Sequence, residues 1–273
     1  MIKVGIIGYG SMGSMITNAV ILKNFLKPDE LIVSTKTKSK LDSLKKQWNT
    51  INISDNKTTA KEAKYLIVCV KPNEVLGIIN EVKEHLTIDK HLITIAGDVT
   101  LSNLESKTDI QISKVIPSIT SEVFEGITLI CHNDKVNHDN KKFIEDLFSA
   151  ISSVKIIKEE NFEAGAHLTS CAPGLISAIF QNFLEAGVRN SSIPEKEVYE
   201  MIIKTLYGTA KLLNEKNMDF KEVITRVATK GGITEEGVKV LNNHLPNVFD
   251  KVFEATFKKH DIRKKEISDL FSN

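Results

Sequence analysis

The chain has 273 residues, with 36 lysines and arginines against 35 acids, enough length for one large domain or two of ordinary size. So even a balance gives no support to a general nucleic-acid or membrane-surface role, and no apolar run is long enough to span a bilayer. Lys3 leads at once into a strand and glycines, not into a signal peptide. Cys69, Cys131 and Cys171 are odd in number and far apart, which predicts free thiols in a reducing cytosol. The histidines show no metal-ligand spacing, and no metal is expected.

The chain opens on Ile2-Lys-Val-Gly-Ile-Ile-Gly-Tyr-Gly-Ser-Met-Gly13. An apolar run from Val4 to Ile7 meets Gly8, Gly10 and Gly13, spaced G-x-G-x-x-G, and residues after Gly13 carry apolar side chains at helical spacing. Strand, tight turn and helix in that order form a dinucleotide-binding pattern. Gly8 permits the turn, Gly10 lets a pyrophosphate approach the backbone, and Gly13 lets helix pack on strand. The phosphates would meet free N–H groups and the positive end of the helix dipole. The plain alternative is a structural glycine turn.

Leu31 to Val33 reads as a second strand, ending at Ser34-Thr35-Lys36-Thr37. The end of this strand reaches the adenine ribose in a dinucleotide fold, and an NAD site places an acid there. Hydroxyls and lysines stand here instead, which suits a 2′-phosphate. NADP(H) is therefore expected, with NAD(H) as the alternative cofactor; otherwise the lysines form a solvated loop.

Leu41 to Trp48 reads as a helix, Ile51 to Ile53 as a strand, and Ser54 to Asn56 as a turn before a short helix. Tyr65 to Val70 is the near-continuous apolar run of a central parallel strand, stopping at Lys71-Pro72-Asn73, where ligands bind in open α/β sheets. A helix over Val75 to Leu86 follows. A strand over 91–95 ends at Ala96-Gly97, small enough for a flat ring to lie against the backbone. Strands over 111–116, 127–131 and 154–157, with a helix over 143–151, complete an α/β domain. From Glu159 the spacing turns helical: 162–170, 173–187, 195–213, 221–225 and 234–259, the last interrupted at Pro246. Lys258 to Lys265 reads as a solvated helix end. The expected fold is α/β: a Rossmann-like dinucleotide-binding domain over 1–158, then an all-α dimerisation domain over 159–273. The helices around Ile176 to Leu184 and Met201 to Leu212 are apolar on broad faces, which asks for a partner.

From end to end the chain resembles pyrroline-5-carboxylate reductase. Ile6 to Gly13, Ser34 to Thr37, Val70 to Asn73, Glu185 to Val188, Gly208 to Lys211 and Lys230 to Thr234 carry the likeness. The resemblance implies NAD(P)H-dependent reduction of the C=N bond of 1-pyrroline-5-carboxylate to proline, in a cytoplasmic homodimer or higher homo-oligomer. It places Gly8, Gly10, Ser11, Met12, Gly13, Ser34, Thr35, Lys36, Asn56, Val70, Lys71, Pro72 and Ala96 at the cofactor. Gly231, Gly232 and Thr234 fall on the substrate loop, Thr234 as the residue nearest the chemistry.

Three stretches depart from the family pattern. Ile116-Pro-Ser-Ile-Thr120 replaces M-P-N-T-P, Thr169-Ser-Cys-Ala-Pro-Gly174 replaces S-G-S-G-P-A, and Thr229-Lys230 replaces Ser-Pro. These changes resemble the late-competence branch of the family, whose implied alternative is a non-catalytic or altered-substrate regulator that keeps the NADP site. A β-hydroxyacid dehydrogenase starts with a similar G-x-G-x-M-G, but its D-x-P-V-S-G-G stretch and catalytic-lysine segment are absent.

A protonated imine is already an activated hydride acceptor, so no Ser-His-Asp, Cys-His or paired-carboxylate constellation is needed. Positioning supplies much of the rate and the cofactor supplies the hydride. Gly231-Gly232 ahead of a helix offers N–H groups to a carboxylate. Thr234 with Glu235 and Glu236 also reads as a plain N-cap, and those glutamates would oppose an anion unless they point away. Cys171 and His167 read as packing residues, as do Tyr199 and Tyr207.

Overall fold

A computed structural model of the chain describes residues 2–272. Eight strands form one sheet: β1 (Val4–Ile7), β2 (Leu31–Ser34), β3 (Asn52–Ile53), β4 (Tyr65–Val68), β5 (His91–Thr94), β6 (Gln111–Ile116), β7 (Gly126–His132) and β8 (Ser152–Ile156). Their order is β3-β2-β1-β4-β5-β6-β7-β8, and only the β6–β7 pairing is antiparallel. The first six strands thus follow the doubly wound order, with the switch point between β1 and β4. All four residues of β1, β2, β4 and β5 are buried, because helices cover both faces of a parallel sheet.

On one face α1 (Ser11–Leu22), α2 (Lys38–Gln47) and α6 (His138–Ser149) close over Ile6, Val33, Ile67 and Ile93. On the other, α3 (Asn56–Glu62), α4 (Pro72–Val82) and α5 (Leu101–Glu105) cover Ile7, Leu66, Val68, Leu92 and Ile112. The remaining helices are α7 (Phe162–Thr169), α8 (Ala172–Arg189), α9 (Glu195–Glu215), α10 (Phe220–Val227) and α11 (Ile233–Ser272). The Rossmann-like sheet and the helical second half follow the fold expected from the sequence.

The chain divides into two compact units, one of Met1–Pro173 with Lys259–Asn273 and one of Gly174–Lys258. Two details of the helical half differ from the sequence reading. Pro246 lies inside α11 without ending it; the cost of the lost N–H and the ring clash is carried by a helix forty residues long. Lys258 to Lys265 is largely exposed, as expected of a solvated helical stretch, but the helix does not end there. It continues, and Ile267 and Phe271, each 4% exposed, pack into the core beside Ile7, Leu92 and Ile112. Charges every few residues mask that stripe in the sequence.

The second unit is apolar but scarcely buried. Leu184 and Val198 are its buried hydrophobic residues among those described, while Ile176, Ile179, Phe183, Met201, Ile203 and Tyr207 are exposed. Tyr199 is exposed as well, so neither tyrosine packs inside a single chain.

A buried polar chain crosses the sheet. His91 Nε2 and Ser113 Oγ share a hydrogen bond of 2.7 Å, Ser113 Oγ and His132 Nδ1 another of 2.6 Å, and His132 Nε2 lies 3.4 Å from Glu145. Burial, with His132 and Lys64 adding, pushes the His91 pKa down to about 3. The unfolded chain takes up this proton near pH 6.5; the folded chain holds the ring neutral until far lower pH. The contribution is therefore complete above about pH 6.5 and is lost on acidification, at up to about 1.4 kcal/mol per pH unit. Urea unfolding of the parent protein is expected to show this slope between pH 6.5 and 4, and His91→Gln to flatten it.

Candidate functional site

The glycine turn is set by contact between β1 and α1. Gly8 has φ +101°, and a Cβ there would meet the Cys69 carbonyl oxygen at 2.5 Å. A Cβ on Gly13 would stand 2.0 Å from the Gly8 carbonyl oxygen, which no side chain tolerates. Gly10 differs: it caps α1, and a Cβ there would meet nothing within 4 Å. The space it leaves is where a ligand would approach the backbone and the N–H groups of the Ser11, Met12 and Gly13 turn.

That space opens into a cleft of about 340 Å³ lined by Gly8, Gly10, Thr35, Lys36, Lys71 and Asn56, among others. Val70 also lines it, and Pro72 stands at the first turn of α4. The structure thus brings together residues from the ends of β1, β2 and β4, the strands that flank the switch point. Cys69 lines the floor; burial pushes its thiol up to about 12, so it stays protonated. An open cradle at Gly10, N–H groups at a helix start and the ammonium groups of Lys36, Lys40 and Lys71 are a donor set that fits a dinucleotide.

Two of the cofactor residues read from the sequence sit differently from their neighbours. Ser34 is buried and its hydroxyl donates to Asn56 Oδ1 at 2.7 Å, so it holds Asn56 in place. Asn56 Nδ2 in turn donates to Glu81 Oε2 at 2.8 Å. Ala96 is buried with its methyl in the core, leaving only its backbone toward the strand end. Lys36 Nζ donates to Glu74 Oε1 at 2.9 Å, and this bond holds the Glu74 carboxyl below the usual carboxylate range. Glu74 was not anticipated from the sequence; its only local signal is a place one turn into a helix that starts Lys-Pro-Asn-Glu.

A second cavity, about 600 Å³, lies on the sheet face beyond β5 and is lined by Gly97, Lys114, Ile116, Glu159, Cys171 and His260, among others. Lys114 projects from β6 into it, its ammonium 3.4 Å from Glu159; burial lowers its pKa against the pull of Glu159. Lys114 was not anticipated from the sequence; a lone charge within the strand Gln111–Ile116 is the signal that could have found it. His260 stands 3.0 Å from Glu163 and 3.6 Å from Asp98, which also takes Arg263 Nε at 3.0 Å. Glu163, His260 and Asp261 bring ligand atoms within 4.8 Å of one another. The departures from the family pattern have structural uses: Ser118 Oγ donates to the Thr169 carbonyl at 3.2 Å and Ser170 Oγ to the Pro117 carbonyl at 3.0 Å.

In the second unit Gly231 has φ +74° and its N–H donates to Glu235 Oε2 at 2.7 Å, while the Gly232 N–H donates to the Thr229 carbonyl at 2.8 Å. Glu235 therefore points at the loop and takes one of its N–H groups. Because α11 begins at Ile233, Thr234 lies in its first turn and Gly232 holds the capping position. The plain N-cap reading of Thr234 does not describe this turn.

Comparison with known proteins adds the lineage. The chain is 38% identical over 268 residues to pyrroline-5-carboxylate reductase 3 of Bacillus subtilis, covering 98% of each. It belongs to the pyrroline-5-carboxylate reductase family. A family model described as pyrroline-5-carboxylate reductase dimerisation matches residues 159–262, and one described as NADP oxidoreductase, coenzyme F420-dependent, matches 3–97. ComE operon protein 4 of the same bacterium is 28% identical, with 95% of each chain covered. The solved pyrroline-5-carboxylate reductase of Coxiella burnetii superposes with a TM-score of 0.84 at 25% identity, covering 97% of this chain and 98% of that one. No helix among the described residues is long and apolar enough to cross a membrane.

The glycines of the turn separate structure from binding. Gly13→Ala should destabilise the apo protein by about 3 kcal/mol or more through overpacking. Gly10→Ala should cost no more than about 1 kcal/mol of stability, yet weaken dinucleotide binding about tenfold or more by occupying the cradle. Urea unfolding paired with NADPH titration of each variant measures both.

Proposed function

We propose that the chain reduces 1-pyrroline-5-carboxylate to proline with NADPH, as a cytosolic homodimer. The observation that carries this reading is the 38% identity to a pyrroline-5-carboxylate reductase over nearly the whole chain, joined to a turn in which sterics require Gly8 and Gly13 and Gly10 leaves the cradle open. The bound cofactor would supply a hydride to the imine carbon. Gly8, Gly10 and the first turn of α1 would hold its pyrophosphate; Thr35, Lys36 and Asn56 would hold the adenine ribose.

The substrate asks for little more than placement. Its imine nitrogen is basic and enters protonated, so C=N already draws the hydride and the nitrogen ends as the secondary amine of proline. The substrate loop at Gly231, Gly232 and Thr234 would hold its carboxylate and nitrogen, with Glu235 giving up the Gly231 N–H as the anion arrives. The exposed apolar side chains of α8 and α9 support a chain that buries them against a second copy.

The changes at Ser118, Ile119 and Cys171 are the support for a second reading, a family member that binds NADPH without this turnover. NADPH oxidation followed at 340 nm with 1-pyrroline-5-carboxylate, beside a thermal shift with NADPH alone, decides between them. Turnover with a shift supports the reductase; a shift with no turnover rejects it for the second reading.

Thr234 tests the substrate loop. Since it is not the N-cap, Thr234→Ala should change stability by only a few tenths of a kcal/mol, the difference in helix propensity. Its kcat/KM should fall at least about tenfold, one hydrogen bond near 1.4 kcal/mol, while NADPH affinity stays the same and Thr234→Ser keeps most activity. An unchanged kcat/KM in the alanine variant would remove Thr234 from the substrate site.

A further inference from the structure

In the cleft that holds the adenine ribose, the lysine best placed to meet a 2′-phosphate already has a partner. Lys36 Nζ donates to Glu74 Oε1 at 2.9 Å, and both side chains line the cleft with Thr35, Thr37, Lys40 and Asn56. Glu74 is no stray surface acid. Its other oxygen, Oε2, accepts from the Lys71 N–H at 3.3 Å, which ties it to the first turn of α4. Positions 74, 78 and 81 fall on one face of that helix: Glu74 and Ile78 line the cleft, and Glu81 takes the Asn56 amide. The helix therefore lays a carboxylate against the site, tied at one oxygen to the Lys71 N–H.

We propose that Glu74 sets the cofactor preference of this chain, by holding Lys36 and opposing the 2′-phosphate, so that NADH stays competitive with NADPH. This rests on the reading of the cleft as the dinucleotide site. A phosphate carries close to two negative charges, and a carboxylate within a few ångströms repels it even when partly screened by water. It also has to share the Lys36 ammonium with Glu74, whose charge already offsets part of it. A ribose 2′-hydroxyl faces neither obstacle, because it is uncharged and can donate to the carboxylate. The lysines and hydroxyls draw the phosphate in, and Glu74 limits how far that draw becomes selectivity. Glu74 is a specificity residue here, remote from the hydride.

Calorimetric titration of the apo protein with NADPH, NADH, 2′,5′-ADP and 5′-AMP tests this. Glu74→Gln keeps an acceptor for the Lys71 N–H and removes the charge. It is expected to tighten NADPH and 2′,5′-ADP by roughly fivefold and to leave NADH and 5′-AMP within about twofold. Glu74→Asp, which keeps the charge, should show no such gain. A Glu74→Gln protein that binds NADPH and 2′,5′-ADP no tighter, or more weakly, overturns the proposal and makes Glu74 a support that orients Lys36. Should neither dinucleotide bind the parent protein, the cofactor reading falls and the role of Glu74 with it. The titrations need no imine, so a chain that fails to reduce 1-pyrroline-5-carboxylate still decides the case of Glu74.

Discussion

Everything in the first unit hangs on how closely α1 is pressed onto β1. The carbonyl of Gly8 stands where a Cβ of residue 13 would be, so helix and strand touch backbone to backbone. That approach aims the start of α1 at the gap between the parallel strands β1 and β4, from which the chain's connections run to opposite sides of the sheet. It also carries Met15, Ile16, Ala19 and Val20 onto the sheet, where they join Ile6, Val33 and Ile67 in one core. Any side chain at position 13 would lever the helix away and remove both the core contact and the aim. Binding geometry and stability are the same constraint at this point.

How much of this is legible in the sequence depends on how local each feature is. The strands of the sheet are readable because burial on both faces leaves them almost wholly apolar, as in Tyr65–Val68. The glycine turn is readable because its spacing fits one mechanical need. Glu74 is not, because its meaning lies in an ion pair with a residue thirty-eight positions away. Ser34 shows the same limit from the other side. A serine at a strand end suggests a phosphate ligand, yet its direction inward to Asn56 is decided by the register of β2 on β1. Pro246 misled because the helix around it is long enough to absorb the break.

The second unit is governed by a different balance. A helical segment with so few buried residues gains little from its own core, and α8 and α9 leave Ile176, Phe183, Met201 and Tyr207 in water. Exposed apolar area on that scale marks an association surface. The chemistry is modest to match. On the proposed reading, an imine that arrives activated needs a dry, well-placed setting and no dedicated nucleophile. His167 is buried as a packing residue should be, but Cys171, read the same way from the sequence, is exposed.

The packing of Ile267 and Phe271 into the sheet face makes the first unit discontinuous along the chain. The order of synthesis then matters. While the ribosome is still building α8 to α11, the strands of the sheet have all emerged, but two side chains of their core do not yet exist. Domains fold as they leave the ribosome, N-terminal part first, and here that habit is checked. The core beside Ile7, Leu92 and Ile112 is complete only once the association unit has been made and Ile267 and Phe271 follow it. Biogenesis thereby links the two: a chain truncated within the second unit has an unfinished first one.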